Sequence, residues 1–389
     1  MKRLVAAALG LACLAGSSAY AQELRLGYVA AMSGPLGVIG AEQKRGLDIA
    51  LKHLGNRIGG LKVDLVTADT KANPGVAVQE AAKLVEKEKV KIITGGTASN
   101  VIMAMVKPIV SAGVFFVGSN GGPSPLAGKQ CQAGYFNVSF QNDQWSEGMG
   151  AYMKRKGLKK PYFMGMDYQA GWDHVAGARR GYGKSAPIAG QKFTPRTQLD
   201  FSAELAQLRA AQPDGVFAFY AGGPAVAFVK QYAQAGLNKT IQLYSNVGLS
   251  DPLLFKAQGN AALGILVSGH YNTELDYGPN KKFVADFRKV YGRDPSTFAA
   301  QQYDAIMLLD AAIGSLHGKI GDKNALRAAL KKADFKSVRG PFRFNNNHMP
   351  VQNIYIQQVS KREDGSLYLK KIDVIENVQD PYHAQCPMK

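Results

Sequence analysis

The stretch Lys91–Val110, KIITGGTASNVIMAMVKPIV, decides how this chain is read. Ile92-Ile93 begins a short apolar run, Gly95-Gly96 breaks it, and Thr97, Ala98, Ser99 and Asn100 follow. Val101, Met105 and Ile109 then recur at helical spacing, with Pro108 near the end. The pattern predicts a strand, a tight turn and a helix. The first N–H groups of a helix lack internal partners, and its dipole favours negative charge there. A hydroxyl-rich helix start behind a glycine turn can therefore hold an anionic group. The plainer alternative is an ordinary N-cap at Ser99. The rest of the chain has to decide between them.

Working outward, Leu24 to Val29 alternates as a strand, Ser33-Gly34-Pro35 turns, and a helix is predicted from about Ile39 to Leu54. Leu61 to Val66 is a second strand, and Asn73-Pro74 starts a helix ending near Lys89. Beyond the opening stretch, Val114 to Val117 is a strand ending in Gly118-Ser119-Asn120-Gly121-Gly122. Strands alternating with helices imply a parallel sheet covered on both faces. The pattern then restarts. Helix Gln144–Lys156 leads to strand Tyr162–Met166 and the turn Asp167–Trp172. Strands at 191–193, 216–220 and 242–244 alternate with helices at 202–211 and 225–235. A further strand at 265–270, three helices near 281–291, 298–316 and 324–333, and a hairpin of 353–360 with 366–374 close the chain. Nothing resembling a low-complexity linker separates the halves, which favours lobes joined by several crossovers.

The 389 residues suffice for two lobes with large cores. Lys2-Arg3, the apolar run Leu4–Gly16 and Ala19-Tyr20-Ala21 form an export leader over residues 1–21, so the mature chain is expected to begin at Gln22 in the periplasm. Cys13 is a weaker lipoprotein signal and leaves with the leader. Cys131 and Cys386 remain, an even pair in an oxidising compartment, read as one disulfide, with two free thiols as the alternative. The formal charge of +18 is spread along the chain. Its densest run, Lys154–Lys160, ends a helix and has no stacking aromatics beside it, so no nucleic-acid partner is expected.

Catalytic signatures are missing. The sequence has no G-x-S-x-G, P-loop or H-E-x-x-H, and the six histidines show no paired metal-ligand spacing. Gly181–Ala186 loosely matches a dinucleotide fingerprint but follows a helix rather than a strand. Two α/β lobes without a catalytic constellation, cofactor or metal point to binding in the cleft between them, not to an enzyme.

The ordered segments LRLGYVAAMSGPLGVIGAEQKRGLDIA, NPGVAVQEAAKLVEKEKVKIITGGTASN, YFNVSFQND, DYQAGWD, LDFSAELAQLRAAQPDGVFAFYAGG, AFVKQYAQAGL and QQYDAIMLL resemble the type I periplasmic binding proteins of the leucine/isoleucine/valine group. The resemblance covers nearly the whole mature chain. It implies two doubly wound parallel-sheet lobes, 22–140 with 249–340 and 141–248 with 341–389. It places three crossovers near Val138–Asn142, Val247–Asp251 and Arg339–Phe342. It also implies a monomer that clamps a small ligand and delivers it to an inner-membrane ABC permease. The Cys131 and Cys386 pair fits a branch of that group.

Carried over position by position, the group's carboxylate site falls on Ala98 and Ser99 and on Ser119, Asn120 and Gly121. Gly121 stands where amino-acid binders carry a hydroxyl, and Asn120 or Thr97 is the expected substitute. Val247 stands where they carry the acid that pairs with the ligand's ammonium. A buried ammonium without an anion is costly. Ile39, Phe116, Tyr168, Trp172 and Tyr220 complete the expected pocket, and Trp172 is the preferred aromatic contact. The ligand expected is a small aromatic carboxylate without an amino group. A branched-chain or hydrophobic amino acid or amide, or an exported sensor role, is the alternative.

Overall fold

Side-chain alternation along the strands sets the layers of the first lobe. In β1 (Glu23–Ala30), Leu24, Leu26, Tyr28 and Ala30 bury one face and Val29 the other. The computed structural model describes residues 23–388, so the leader assigned to residues 1–21 lies outside the described residues. With β2 (Arg57–Ile58), β3 (Leu61–Asp69), β4 (Ile92–Gly95), β5 (Phe115–Gly118) and β6 (Tyr135–Asn137), β1 forms a sheet of order β2-β3-β1-β4-β5-β6. All pairs are parallel except β2 with β3. Helices Gly37–His53, Thr297–Ser315 and Lys323–Lys332 cover one face; Pro74–Ala82 and Ser99–Ser111 cover the other. Asn73 caps its helix by accepting from the Gly75 and Val76 amides, at 2.8 and 3.2 Å, with Pro74 in the first turn.

The second sheet is built from β7 (Tyr162–Met166), β8 (Gly190–Thr194), β9 (Val216–Phe219), β10 (Leu243–Asn246), β11 (Leu266–Gly269), β12 (Phe342–Phe344), β13 (Pro350–Lys361) and β14 (Leu367–Val378). Its order is β12-β13-β11-β10-β9-β7-β8, and β14 pairs with β13. The β7 to β11 core is parallel, and β13 runs antiparallel to its three partners. This is the α/β, two-lobed, parallel-sheet architecture read from the sequence.

One boundary is corrected. The expected first-lobe segment 249–340, with its crossover at Val247–Asp251, starts too early. Strand β11 is hydrogen-bonded between β10 and β13 in the second sheet. The return to the first lobe therefore comes after Gly269. Tyr271 already packs in the first lobe's core, while the Asn272 amide still donates to Gln357 and to the Leu369 carbonyl of the second sheet. Apolar alternation identifies a strand but not which of two sheets it joins.

The remaining connections run through Val138–Asn142 and Arg339–Phe342, and one side chain binds them together. Arg339, fully buried, donates from Nε to Asp304 Oδ2 (2.7 Å) and from Nη2 to the Val138 carbonyl (2.7 Å). Its Nη1 donates to the Ser139 carbonyl (3.0 Å) and to Gln352 Oε1 (2.8 Å). Cys131 and Cys386 are disulfide-bonded, with Cα atoms 5.7 Å apart, and tether the C-terminal tail to the loop before β6. No described helix is long and apolar enough to cross a membrane.

Removing one partner of a buried ion pair typically costs about 3–5 kcal/mol, because the other charge is left uncompensated. Arg339→Met is expected to destabilise the mature chain by that amount in urea denaturation. An unchanged midpoint would show that Asp304 and the crossover carbonyls find other partners.

Candidate functional site

The turn after β4 is built on glycine. Gly95 and Gly96 have φ of 108° and 87°, and a Cβ on Gly95 would lie 2.2 Å from the Val29 carbonyl oxygen. Ala98 also takes a positive φ, 70°. For a residue with a side chain that is strained, and strain of about 1–3 kcal/mol collects at sites where the surroundings fix it. The Ala98 carbonyl accepts from the Val101 and Ile102 amides. Helix Ser99–Ser111 thus begins with its N-terminus facing the space between the lobes.

That space is a cavity of about 420 Å³, part of it open to solvent. The first lobe lines it with Leu36, Ile39, Thr97–Ser99, Asn120, Gly121 and Phe298. The second contributes Asn142, Trp145, Tyr168, Ala170, His174, Phe219, Ala221 and Gly248, and Phe140 sits on the crossover. No described lining residue is Asp, Glu, Lys or Arg.

The polar groups divide into spent and free. Thr97 Oγ1 donates to Gln43 Oε1 (2.5 Å) and accepts from the Ala31 amide (3.2 Å). Ser119 Oγ accepts from Gln43 Nε2 (2.8 Å) and donates to Gln302 Oε1. Gln302 Nε2 donates on to Thr94 Oγ1. These hydroxyls lash helices Gly37–His53 and Thr297–Ser315 to the ends of β4 and β5. Thr97 therefore reaches the cavity without a free proton, and Ser119 does not line it, correcting the expectation for both.

Ser99 is different. It is the first helical residue rather than the N-cap, and its Oγ accepts from Asn142 Nδ2 (3.0 Å), leaving its own proton free. Asn142 cannot turn away, because its Oδ1 accepts from the Gly122 amide (2.9 Å). Asn120 faces the cavity with its amide uncommitted among the described residues. Gly121, φ 70°, lies close to Ser99: a Cβ there would sit 3.3 Å from Ser99 Oγ. A hydroxyl side chain at 121 would crowd this corner, so its absence leaves room for a ligand oxygen. Helix start, Ser99 hydroxyl and Asn120 amide together gather uncharged donors at one corner, an arrangement whose chemistry suits an anion.

Aromatic groups form the walls. Phe140 stacks on Trp145 at 3.6 Å, and His174 lies on Phe219 with ring centroids 4.0 Å apart. The Trp145 indole N–H is spent on His270 Nδ1 (2.7 Å), so Trp145 offers the cavity only its ring. Burial holds Tyr168 neutral by raising its pKa.

Besides Ser119, four expected contacts lie elsewhere. Trp172 is 47% exposed and donates to Asp167 Oδ1 (2.8 Å). Tyr220 is buried against Phe201 and Phe228, with Phe219 and Ala221 taking its place at the cavity. Phe116 packs on Tyr135 behind Gly96. Val247 is fully buried against Gly269, and its neighbour Gly248 lines the cavity. A Cβ on Gly248 would lie 2.8 Å from Asn246 Oδ1, so that position has no room for an acid either. Asp251 is committed: its two oxygens accept the Leu253 and Thr297 amides, both at 3.0 Å. Ile39, Thr97, Ala98, Ser99, Asn120, Gly121 and Tyr168 do line the cavity. Phe140, Asn142, Trp145 and His174 escaped the sequence reading. Three of them fall in or just after the quoted YFNVSFQND segment, where only crossover and helix were read.

The lobes are closed on each other. Asp173 of the second lobe accepts from the Ser124 amide (3.0 Å) and hydroxyl (2.7 Å) of the first, and from Asn142 Nδ2 (2.8 Å). Arg196 Nη1 donates to the Ala72 carbonyl (3.1 Å) across the same gap.

A cleft between two closed parallel-sheet lobes, with an anion cradle on one side, is the working part of a binding protein. The chain belongs to the periplasmic binding protein family, whose model matches residues 23–365. A curated relative, the Leu/Ile/Val-binding protein homolog 6 of Brucella melitensis, is 30% identical over 394 residues, covering 98% of this chain and 99% of the relative. A solute-binding protein of an ABC transporter from R. palustris, solved with benzoate, shares 31% identity at a TM-score of 0.89, covering 94% of this chain and all of the other. Another from Rhodopseudomonas palustris BisB5, solved with 3,4-dihydroxybenzoic acid, shares 28% identity at a TM-score of 0.87, covering 92% and 99%.

Each hydrogen bond to a charged group contributes about 1.5–3 kcal/mol. Asp173→Ala removes those that span the lobes and is expected to shift the ligand-free chain toward an open form. Small-angle scattering should then show a larger radius of gyration than the parent. Identical curves would mean that Asp173 does not hold the lobes together.

Proposed function

We propose that this chain is the periplasmic substrate-binding component of an ABC importer and captures a small aromatic carboxylate lacking an amino group. The observation that carries this reading is the cavity's composition: an uncharged anion cradle, aromatic walls and no acid. The cradle would take the ligand carboxylate at Ser99, Asn120 and the first-turn amides. Phe140, Trp145 and Phe219 would sandwich its ring by offset or edge contacts. Ligand contacts on both lobes would favour the closed form, which a membrane permease then reads; no bond is made or broken. The solved relatives holding benzoate and 3,4-dihydroxybenzoic acid support the ligand class.

The relative named for leucine, isoleucine and valine supplies the competing ligand. An α-ammonium would enter this cavity without an anionic partner, a loss of about 3–5 kcal/mol.

Thermal unfolding of the mature chain with benzoates, coumarate, alkanoates, leucine and phenylalanine tests the assignment. Ligand at a hundred times its dissociation constant adds about 2.7 kcal/mol of stability. Benzoates are expected to raise Tm, and Gly121→Ser, which crowds the cradle, should weaken them at least about tenfold. A shift with leucine and none with any plain carboxylate would sink the ligand class while leaving the binding-protein family intact.

A further inference from the structure

Among the described residues, His174 is the one titratable side chain on the cavity wall whose bonding fixes what it offers. It projects from helix Gln169–Tyr182 of the second lobe, opposite the cradle on the first. Its Nδ1 lies 2.9 Å from Ser146 Oγ and 3.1 Å from Asn246 Nδ2. The orientation of Asn246 is set independently, because its Oδ1 accepts from the Gly248 amide at 2.9 Å. Asn246 therefore presents N–H groups to the ring and to Ser146 Oγ (3.1 Å), which leaves the Ser146 hydroxyl and Asn246 both placed to donate to Nδ1. A neutral imidazole that accepts at Nδ1 carries its proton on Nε2. Complete burial lowers the His174 pKa to about 3, so the ring is neutral across the physiological range. Nε2 has no protein partner among the described residues, and the ring is a cavity wall.

His270 shows the contrast. It also accepts at Nδ1, from Trp145, but its Nε2 is sealed in the interior, away from the cavity. Of the two neutral imidazoles, only His174 can meet a ligand.

We propose that His174 Nε2–H is a specificity-determining donor, selecting aromatic carboxylates that carry an oxygen acceptor, such as a hydroxyl, on the ring remote from the carboxylate. This rests on the aromatic-carboxylate reading above and adds the ligand's second polar contact. The carboxylate belongs to the first lobe and the ring oxygen to the second. The bond to His174 then exists only when the lobes are closed, and it adds to the differential affinity that drives closure. A buried N–H left unpaired by a ligand without the oxygen is penalised, which gives discrimination as well as affinity.

Calorimetric titration of the mature chain with benzoate, 4-hydroxybenzoate and 4-methylbenzoate tests it, the last two being close in size. Binding of 4-hydroxybenzoate is expected to be at least about tenfold tighter than that of 4-methylbenzoate. His174→Phe should bring this ratio close to one, and His174→Gln, which keeps a donor, should retain part of it. A ratio near one in the parent, or a ratio that survives in His174→Phe, overturns the proposal while leaving the aromatic-carboxylate reading standing. If none of the three ligands binds, that reading fails and the proposal fails with it. Should the variants not fold, nitrogen-15 spectra of the parent still decide. The Nε2–H tautomer with a resonance moved by 4-hydroxybenzoate and not by 4-methylbenzoate supports the proposal, and equal response to both overturns it.

Discussion

The pairing of Arg339 with Asp304 is the constraint on which the two-lobed arrangement depends. Both side chains are essentially sealed from solvent, at 1% and 0% exposure. Desolvation of a guanidinium is expensive, and burial lowers the Arg339 pKa, with Asp304 opposing. The charge is tolerable there because four of its five N–H donors are used: one on Asp304, two on the crossover carbonyls of Val138 and Ser139, and one on Gln352. Asp304 is satisfied in turn by the Val338 amide and the Ser337 hydroxyl. Asp304 lies on a first-lobe helix and Gln352 on a second-lobe strand, so the pair fixes where the lobes meet. A well-packed apolar cluster could stabilise as much, but it would not specify that register.

From that fixed point the chemistry of the cleft follows by subtraction. Several hydroxyls gather near the carboxyl ends of β4 and β5, which suggests a rich anion site. Most of them hold the scaffold. Gln43 and Gln302 draw Thr97, Ser119 and Thr94 into one buried network that joins two helices to the sheet. What remains for a ligand is the helix start, Ser99 and Asn120. The strained Ala98 belongs to the same economy, since its carbonyl starts the helix while its positive φ aims the first amides across the cleft.

The fold was legible because its signals are local and repeated. Apolar alternation, the Asn73-Pro74 helix start and the glycine turn at 95–96 each state a backbone need in the residue itself. Strand 266–269 was found but given to the wrong lobe, since sheet membership depends on pairing far along the chain. In the site, the backbone-dominated part was legible: Ala98, Ser99, Asn120 and Gly121 sit on strand-to-helix turns whose direction the fold dictates. The side-chain part was not. Phe219 ends its strand and Tyr220 follows it directly, and their order alone decides which faces the cavity. Trp172 and His174 share a helix two positions apart, so one points to solvent and the other to the cleft. His174 looked like any scattered histidine, because what distinguishes it, the Asn246 and Ser146 contacts, comes from residues 72 and 28 positions away.

The missing acid has a geometric cause as well. Val247 drew attention as the position where amino-acid binders place their anion, yet its side chain turns away from the cavity and Gly248 takes the wall. An amine-binding version of this cleft would therefore need more than one substitution. An acid at 247 would sit buried against Gly269 rather than on the cavity wall, and one at 248 would strike Asn246. Asn246 in turn holds the His174 ring and its tautomer. Putting an anion at 248 would thus disturb the donor at 174, so an ammonium partner and the His174 donor compete for the same few atoms. In this chain the residues around Asn246 are arranged for the neutral donor.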